Sequence, residues 1–243
     1  AVFTKTFTFF STAEAIRLVG ATPIFVDIEL TTFNIDTDKL QTKIERLIDE
    51  GSTFPKAIIA VDLFGLPANY PELVILAERY DLKIIEDAAQ SLGGEVEGKI
   101  AGSFGDIATT SFYPAKPLGC YGDGGALFTN NDYYAETLRS LRAHGKGVNK
   151  YDNVRIGMNS RLDTIQAAIL LVKLKSFKCE IKLRNKIAKK YTSALAGKFR
   201  LPIVPRGYMS VWAQYSLLAH TKKDRDSILF ELKSQGIPSV IYY

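Results

Sequence analysis

The sequence predicts an α/β fold. Strand-like and helix-like stretches alternate along most of its 243 residues, the pattern of strands joined by helical crossovers. The run Leu82-Lys-Ile-Ile-Glu86 has a nearly continuous apolar character, which suits a parallel strand covered on both faces. Glycines then punctuate residues 93–105 before strand-like sequence resumes.

In chain order, residues 1–4 already have the character of a strand. Residues 12–19 read as a short helix with Ala15, Ile16 and Val19 on one side; Gly20 stops it, and 22–26 is a strand. Residues 36–48 form an amphipathic helix, and 56–61 a short buried strand that runs into Asp62-Leu-Phe-Gly65. A helix over 70–80 follows, with Leu73, Leu76, Ala77 and Tyr80 at the spacing of one buried face. Past the glycines, a strand over 106–113 leads into the loop around Lys116, and 125–129 is another strand. Asn130, Asn131 or Asp132 can cap a helix that runs to about Ala143. Asp163 or Thr164 caps a long helix carrying Ile165, Ala168, Ile169 and Val172, which continues, with room for a kink, toward Leu195. The last stretch opens a small α+β domain: a strand over 211–219, a helix over 224–235 and a strand over 239–243. The expected division is a large domain over 1–170, then a bridging helix and part of a small domain over 171–243.

Composition excludes several classes. Hydrophobic content of 47% and charged content of 23% are those of a soluble globular protein. Much of the net charge of +5 lies in 173–190, where Cys179, Ile181, Leu183 and Ile187 interleave with the basic residues. That stretch reads as a solvated helix face, and a nucleic-acid partner is not expected. Two cysteines, Cys120 and Cys179, make no disulfide framework and fit a reducing cytoplasm. Two histidines, His144 and His220, are too few for a histidine-based zinc site. There is no signal-peptide pattern and no apolar run long enough to cross a bilayer. Both ends look cut, because the chain opens inside a strand and stops at Val240-Ile-Tyr-Tyr243.

The chemistry concentrates at predicted strand ends, where open α/β sheets bind ligands. Asp62, Asp87 and, beyond the strand through Ser111, Lys116 all belong there. Lys116 sits between Pro114 and Pro117 in a rigid loop, with Tyr113, Leu118 and Cys120 making its surroundings apolar; desolvation would lower its amine pKa. A lysine so placed and a carboxylate at the end of a buried strand are what a pyridoxal-phosphate enzyme needs: an amine to form a Schiff base and an anion to keep the pyridine nitrogen protonated. Alone, Asp87 could equally cap a turn before Ala88-Ala89-Gln90. Gly119, Gly122, Gly124 and Gly125 do not have the G-x-G-x-x-G spacing, and a strand rather than a helix follows, which disfavours a dinucleotide fold. Ser111 could donate to a phosphate or bond locally, and Phe9 could stack on a flat ring or join the core. His144, beside Gly145, either caps a helix or lines a substrate cleft.

The chain resembles the DegT/DnrJ/StrS sugar aminotransferases. The matching pieces are Phe7-Thr-Phe-Phe-Ser-Thr12, Gly20-Ala-Thr-Pro-Ile-Phe-Val-Asp27, Val61-Asp-Leu-Phe-Gly65, Glu86-Asp-Ala-Ala-Gln90, the block 111–126, and Arg155-Ile-Gly-Met-Asn-Ser-Arg-Leu-Asp-Thr-Ile-Gln-Ala-Ala168. They occur in family order over almost the whole chain. The resemblance implies fold type I of the pyridoxal-phosphate transferases: a mixed, mostly parallel sheet of the seven-stranded type between helices, and the start of a small α+β C-terminal domain. It implies that Lys116 is the catalytic lysine, that Asp87 pairs with the ring nitrogen, that Gln90 bonds the ring oxygen, that Ser111 binds the phosphate and that Phe9 stacks on the ring. Asn159 matches the segment that reaches the other subunit's phosphate in a homodimer with shared sites. Arg161, His144 and Tyr113 are candidate contacts for the sugar substrate, Arg161 for an acidic one.

The stretch Lys150-Tyr-Asp-Asn-Val-Arg-Ile-Gly157 with Ser160-Arg-Leu-Asp163 looks most like the branch that aminates the 3-keto group of a UDP-N-acetyl-glucuronic acid derivative. Glutamate is the donor there, and the product serves O-antigen or capsule synthesis. Alternatives are amination of another 3- or 4-keto nucleotide sugar, or a non-catalytic relative. A dehydratase of the same fold is disfavoured, since that branch carries histidine where Lys116 stands. The resemblance also implies an earlier segment that grips the phosphate through backbone amides, and further elements after Tyr243; the expectation is a fragment lacking both ends.

Overall fold

The computed structural model describes residues 1–149 and 151–243; Lys150, the first residue of the stretch compared among family branches, lies outside the described residues. The chain opens with strand β1 (Val2–Lys5), helix α1 (Ser11–Leu18), β2 (Pro23–Val26), α2 (Thr37–Glu50) and β3 (Ala57–Val61). A 3-10 turn over Leu63–Gly65 precedes α3 (Tyr70–Arg79) and β4 (Lys83–Asp87). The glycine-rich region supplies β5 (Glu95–Val96) and β6 (Lys99–Ile100), followed by β7 (Ile107–Ser111) and β8 (Gly125–Phe128). Then come α4 (Asp132–Leu141), α5 (Thr164–Leu195), β9 (Tyr208–Met209) and α6 (Lys222–Ser234).

The main sheet has six strands in the order β2-β1-β3-β4-β7-β8. Its first five strands pair in parallel, and β8 runs antiparallel to β7. This is the expected mixed, mostly parallel sheet, with six strands in this chain where the seven-stranded type was expected, and with β4 buried between two parallel neighbours as its apolar run requires. Strands β5, β6 and β9 form a small antiparallel sheet beside it.

Local sequence accounts for the helices that cover the sheet. α2 starts where the Asp36 carboxylate accepts the Lys39 N–H at 3.0 Å, and it stops at Gly51, whose φ of 60° ends the helix. Leu40, Ile44 and Leu47 of α2 join Leu73, Leu76 and Ala77 of α3 in one core with Phe3, Ile58 and Ile84 of the strands. Each such side chain contributes about 1.5–3 kcal/mol on burial. α5 runs as one helix and seals a second cluster, in which its Leu170, Phe177 and Ile181 meet Phe112, Leu118, Cys120 and Val211.

Two expected strands do not form. Of 211–219 only Leu218 pairs, through an isolated bridge to Arg200, and 239–243 has no strand at all; the strand in this region is β9, a few residues earlier. Trp212 has a φ of 52°, which breaks extended backbone, and its indole N–H donates to Asn185 Oδ1 on α5 at 3.1 Å. Tyr242 and Tyr243 turn inward to ring contacts with Phe64 at 5.4 Å and Phe7 at 5.6 Å instead of joining a ladder.

The register of β7 against β4 is set at their amino ends. Asp106 brackets Ile84, its N–H donating to the Ile84 carbonyl and its carboxylate accepting the Ile84 N–H, both at 2.9 Å. Gly105, with a φ of 67°, turns the chain into this position, and a Cβ there would lie 2.6 Å from the Ile84 oxygen. Gly105→Ala is expected to destabilise the fold by about 2–4 kcal/mol, combining left-handed strain with overlap. Urea denaturation followed by circular dichroism measures it.

Candidate active site

The parallel pairing of β3, β4 and β7 delivers several polar side chains to one end of the sheet. Asp87 is in register with Val61 on one side and Thr109 on the other. Just beyond, the Ala88 N–H donates to the Thr109 carbonyl at 2.8 Å, and Thr110 Oγ1 donates to the Ala88 carbonyl at 3.0 Å. Ser111 ends β7, and Lys116 follows in the loop that returns to β8.

That loop is built tightly. The Lys116 N–H donates to the Tyr113 carbonyl at 2.8 Å, the Cys120 N–H to Phe112 at 2.7 Å and the Phe112 N–H to Gly124 at 2.7 Å. Gly119 packs so closely on Pro114 that a Cβ would lie 2.5 Å from its carbonyl oxygen. α5 braces the loop from outside: Gln166 Oε1 accepts the Tyr121 N–H at 2.8 Å, and Lys173 Nζ donates to the Gly119 carbonyl.

Lys116 and Asp87 face each other electrostatically. Burial lowers the pKa of the Lys116 amine, and the charge of Asp87 pulls it back up. Burial also pushes the Asp87 carboxyl up, opposed by the Ala89 N–H, which it accepts at 3.1 Å, and by the ammonium groups of Lys116 and Lys5. Desolvation makes the amine give up its proton more readily than a solvated lysine does, and the neutral amine is a nucleophile with a carboxylate at hand to hold a proton.

Gln90 and Phe9 belong to the same end of the sheet. Gln90 Oε1 accepts the Phe64 N–H at 2.6 Å, and one of its two amide protons goes to the Tyr243 hydroxyl at 3.1 Å. Its second amide proton is available to a ligand. Phe9, 61% exposed, has its ring 6.3 Å from that of Tyr243, which places it beside Gln90. Ser111 Oγ accepts the Tyr113 N–H at 3.2 Å and retains its own proton to donate. Tyr113 is half exposed on the rim of the loop.

Asn159 and Arg161 lie beside the chain reversal that His144 makes after α4. His144 has a φ of 61°, and with Gly145 it reverses the chain after α4 so that 143–146 lies against 153–159. The His144 N–H donates to the Met158 carbonyl at 3.1 Å, and Arg161 Nε donates to Asn159 Oδ1 at 2.9 Å. All three side chains are exposed, and among the described residues no hydrogen bond or ion pair joins them to Asp87 or Lys116.

Local patterns do not announce the polar core beneath the site. Asp62, fully buried, accepts from the Ala68 N–H and the Tyr70 hydroxyl, each at 2.8 Å, and from Ser91 Oγ at 2.5 Å. Burial pushes its carboxyl up, and these donors with Lys5 pull it down. Lys5 is buried at the end of β1, and Tyr243 reaches Gln90 from the far end of the chain. A lysine closing an otherwise uncharged strand is the one local signal; the remaining partners are distant in sequence. Among the described residues no helix is long and apolar enough to cross a membrane, and no cluster of histidine, cysteine and acidic residues is placed to hold a metal ion.

Comparison with known proteins gives one consistent result. The model of the DegT/DnrJ/EryC1/StrS aminotransferase family matches residues 1–243. A UDP-2-acetamido-2-deoxy-3-oxo-D-glucuronate aminotransferase from Pseudomonas aeruginosa is 42% identical over 243 residues, which are 100% of this chain and 65% of that protein. A pleiotropic regulatory protein from Geobacillus stearothermophilus is also 42% identical, over 246 residues, covering 100% of this chain and 63% of its own length. The crystal structure of a DegT DnrJ EryC1 StrS aminotransferase from Brucella abortus superposes with a TM-score of 0.97 at 53% identity, covering 100% of this chain and 64% of the other. The family match runs from the first residue of this chain to its last. The chain spans just under two thirds of the length of the curated relatives it matches.

Asp87→Asn removes the charge that raises the Lys116 amine, so that amine is expected to stay unprotonated to lower pH. Labelling of Lys116 by an acylating reagent, followed by peptide mass spectrometry across pH, should shift its profile downward. An unchanged profile would show that the two groups do not couple.

Proposed function

This chain belongs to the DegT/DnrJ/EryC1/StrS aminotransferase family, and on that premise we propose that it is a pyridoxal-phosphate-dependent aminotransferase acting on a nucleotide-linked sugar. The carrying observation is the desolvated Lys116 amine, in the loop that follows β7, coupled to the Asp87 carboxylate at the end of the adjacent parallel strand β4. The donor set fits the cofactor, since an amine, an anion, a free amide proton, a free hydroxyl proton and an exposed ring stand at one end of the sheet.

Bound there, pyridoxal phosphate supplies an electron sink through which an amino group leaves one substrate and enters another. Lys116 would hold it covalently and, once displaced, carry the proton between carbon atoms. Asp87 would keep the ring-nitrogen proton in place, and burial makes that pairing stronger than it is in water. Gln90 would give its remaining amide proton to the ring oxygen, and Ser111 its hydroxyl proton to the phosphate. Phe9 would cover one face of the ring.

Similarity to the P. aeruginosa enzyme supports UDP-2-acetamido-2-deoxy-3-oxo-D-glucuronate as the amino acceptor; the proposal adds glutamate as the donor, the cytoplasm as the place and O-antigen or capsule synthesis as the use. In this reading Arg161, His144 and Tyr113 contact the acidic sugar. The exposure of Asn159 accords with a homodimer in which it serves the partner's phosphate. Residues 1–170 would carry the cofactor, and 171–243 the bridging helix and small domain. The equal identity to a regulatory relative favours one second reading, a non-catalytic protein of the same fold. Lys116, Asp87 and Gln90 are all present, which argues for catalysis.

With pyridoxal phosphate the protein is expected to turn yellow, to lose that band on adding glutamate, and to show neither change as Lys116→Ala. Visible absorption spectroscopy reads all three. A folded parent protein without the band would support the non-catalytic reading.

A further inference from the structure

Lys5 is the one lysine in the inner strands of the sheet that solvent does not reach. Its Nζ donates to the Val61 carbonyl at 2.7 Å, the Phe33 carbonyl at 3.0 Å and Asn34 Oδ1 at 3.2 Å. Three acceptors around one nitrogen match the three N–H bonds of an ammonium; a neutral amine would turn its lone pair onto one of them. Burial works the other way and brings the group down to about 7, against the upward pull of Asp62 and Asp87.

All three contacts are to neutral oxygens, so the charge is not cancelled where it sits. Its field falls on the nearest anions, and in the dry interior it acts over a longer reach than in water. Val61, which holds the ammonium, is the register partner of Asp87, and the Asp62 N–H donates to the Asp87 carbonyl at 3.1 Å. The charged and titratable groups on the packed elements are few. β3 leads into Asp62, and α3 offers Tyr70, whose hydroxyl is committed to Asp62. β4 contributes Asp87 and Glu86, the latter bound to the Gly102 and Phe104 N–H groups. The loop after β7 contributes Lys116. Asp62 already has three donors of its own, whereas Asp87 has one backbone N–H and otherwise depends on the ammonium groups.

We propose that Lys5 is a positioning residue for Asp87: its buried ammonium, held on the carbonyl of the neighbouring strand, keeps the Asp87 carboxylate ionised. Asp87 would then meet a bound ring nitrogen as an anion, the role the proposed function gives it. The catalytic consequence rests on the aminotransferase reading; the charge coupling does not.

The test is a carboxyl ¹³C NMR titration of aspartate-labelled protein without cofactor, with the Asp87 signal assigned by its loss in Asp87→Asn. In Lys5→Met, and in Lys5→Gln, which keeps a donor without the charge, Asp87 is expected to ionise about tenfold less readily. Coupling is reciprocal, so Asp87→Asn should make the Lys5 ammonium about tenfold more acidic, read by ¹⁵N NMR of labelled lysine. That arm leaves Lys5 intact and stands even if both Lys5 variants fail to fold. An Asp87 titration unmoved in a folded Lys5 variant, or a Lys5 ammonium unmoved in Asp87→Asn, would overturn the proposal. The cofactor band of the parent protein is scored separately: its absence sinks the aminotransferase reading and leaves the titrations to judge Lys5.

Discussion

Asp62 has two carboxylate oxygens, and three donors from two parts of the chain converge on them. The Ala68 N–H and Tyr70 hydroxyl bring the start of α3 to the end of β3, and the Ser91 hydroxyl brings in the turn after β4. Gln90 lies next to Ser91, and Phe64 lies two residues past Asp62, so this junction also positions the amide that bonds the Phe64 N–H. A buried carboxylate without such partners would cost several kcal/mol. Its saturation is what lets polar groups stand at the sheet end without water, and the amide and carboxylate of the site are mounted on it.

The electrostatics follow from that dryness. Burial opposes charge on Lys5, Asp62, Asp87 and Lys116 alike, and each is favoured by an opposite charge nearby. Two amines and two carboxyls thus stand where burial disfavours the charged form of each and the opposite charges favour it. Such mutual dependence is a poor way to gain stability and a good way to fix charge at chosen atoms. The loop carrying Lys116 needs the same fixity, and it gets it from close backbone packing at Gly119, from the Gln166 hydrogen bond of α5 and from the apolar cluster that buries Leu118 and Cys120.

Much of this was legible because it is local. The apolar run 82–86 identifies β4, the prolines around Lys116 identify a rigid loop, and Asp36 and Gly51 mark the limits of α2. The strands expected over 211–219 and 239–243 failed for a physical reason. Valine, tryptophan and tyrosine favour extended backbone, yet here their aromatic rings find better partners in Asn185, Phe64 and Phe7 than any sheet edge offers. Lys5 was illegible as a site residue because its meaning lies in Val61, Asn34 and Phe33, which only the tertiary fold brings to it. Asn159 and Arg161 were placed by motif, and the fold leaves both exposed and hydrogen-bonded to each other.

The hydrogen bond between Gln90 and Tyr243 spans 153 residues. Contacts so far apart in sequence close late, because the entropy of the intervening chain must be overcome before they return anything. During synthesis, Asp87 and Lys116 could settle on the sheet well before the aromatic wall formed by Tyr243 and Phe9 exists. For that interval the nascent protein would hold a reactive amine in a half-built cleft open to solvent. The order of assembly is thus written into the distance between two side chains.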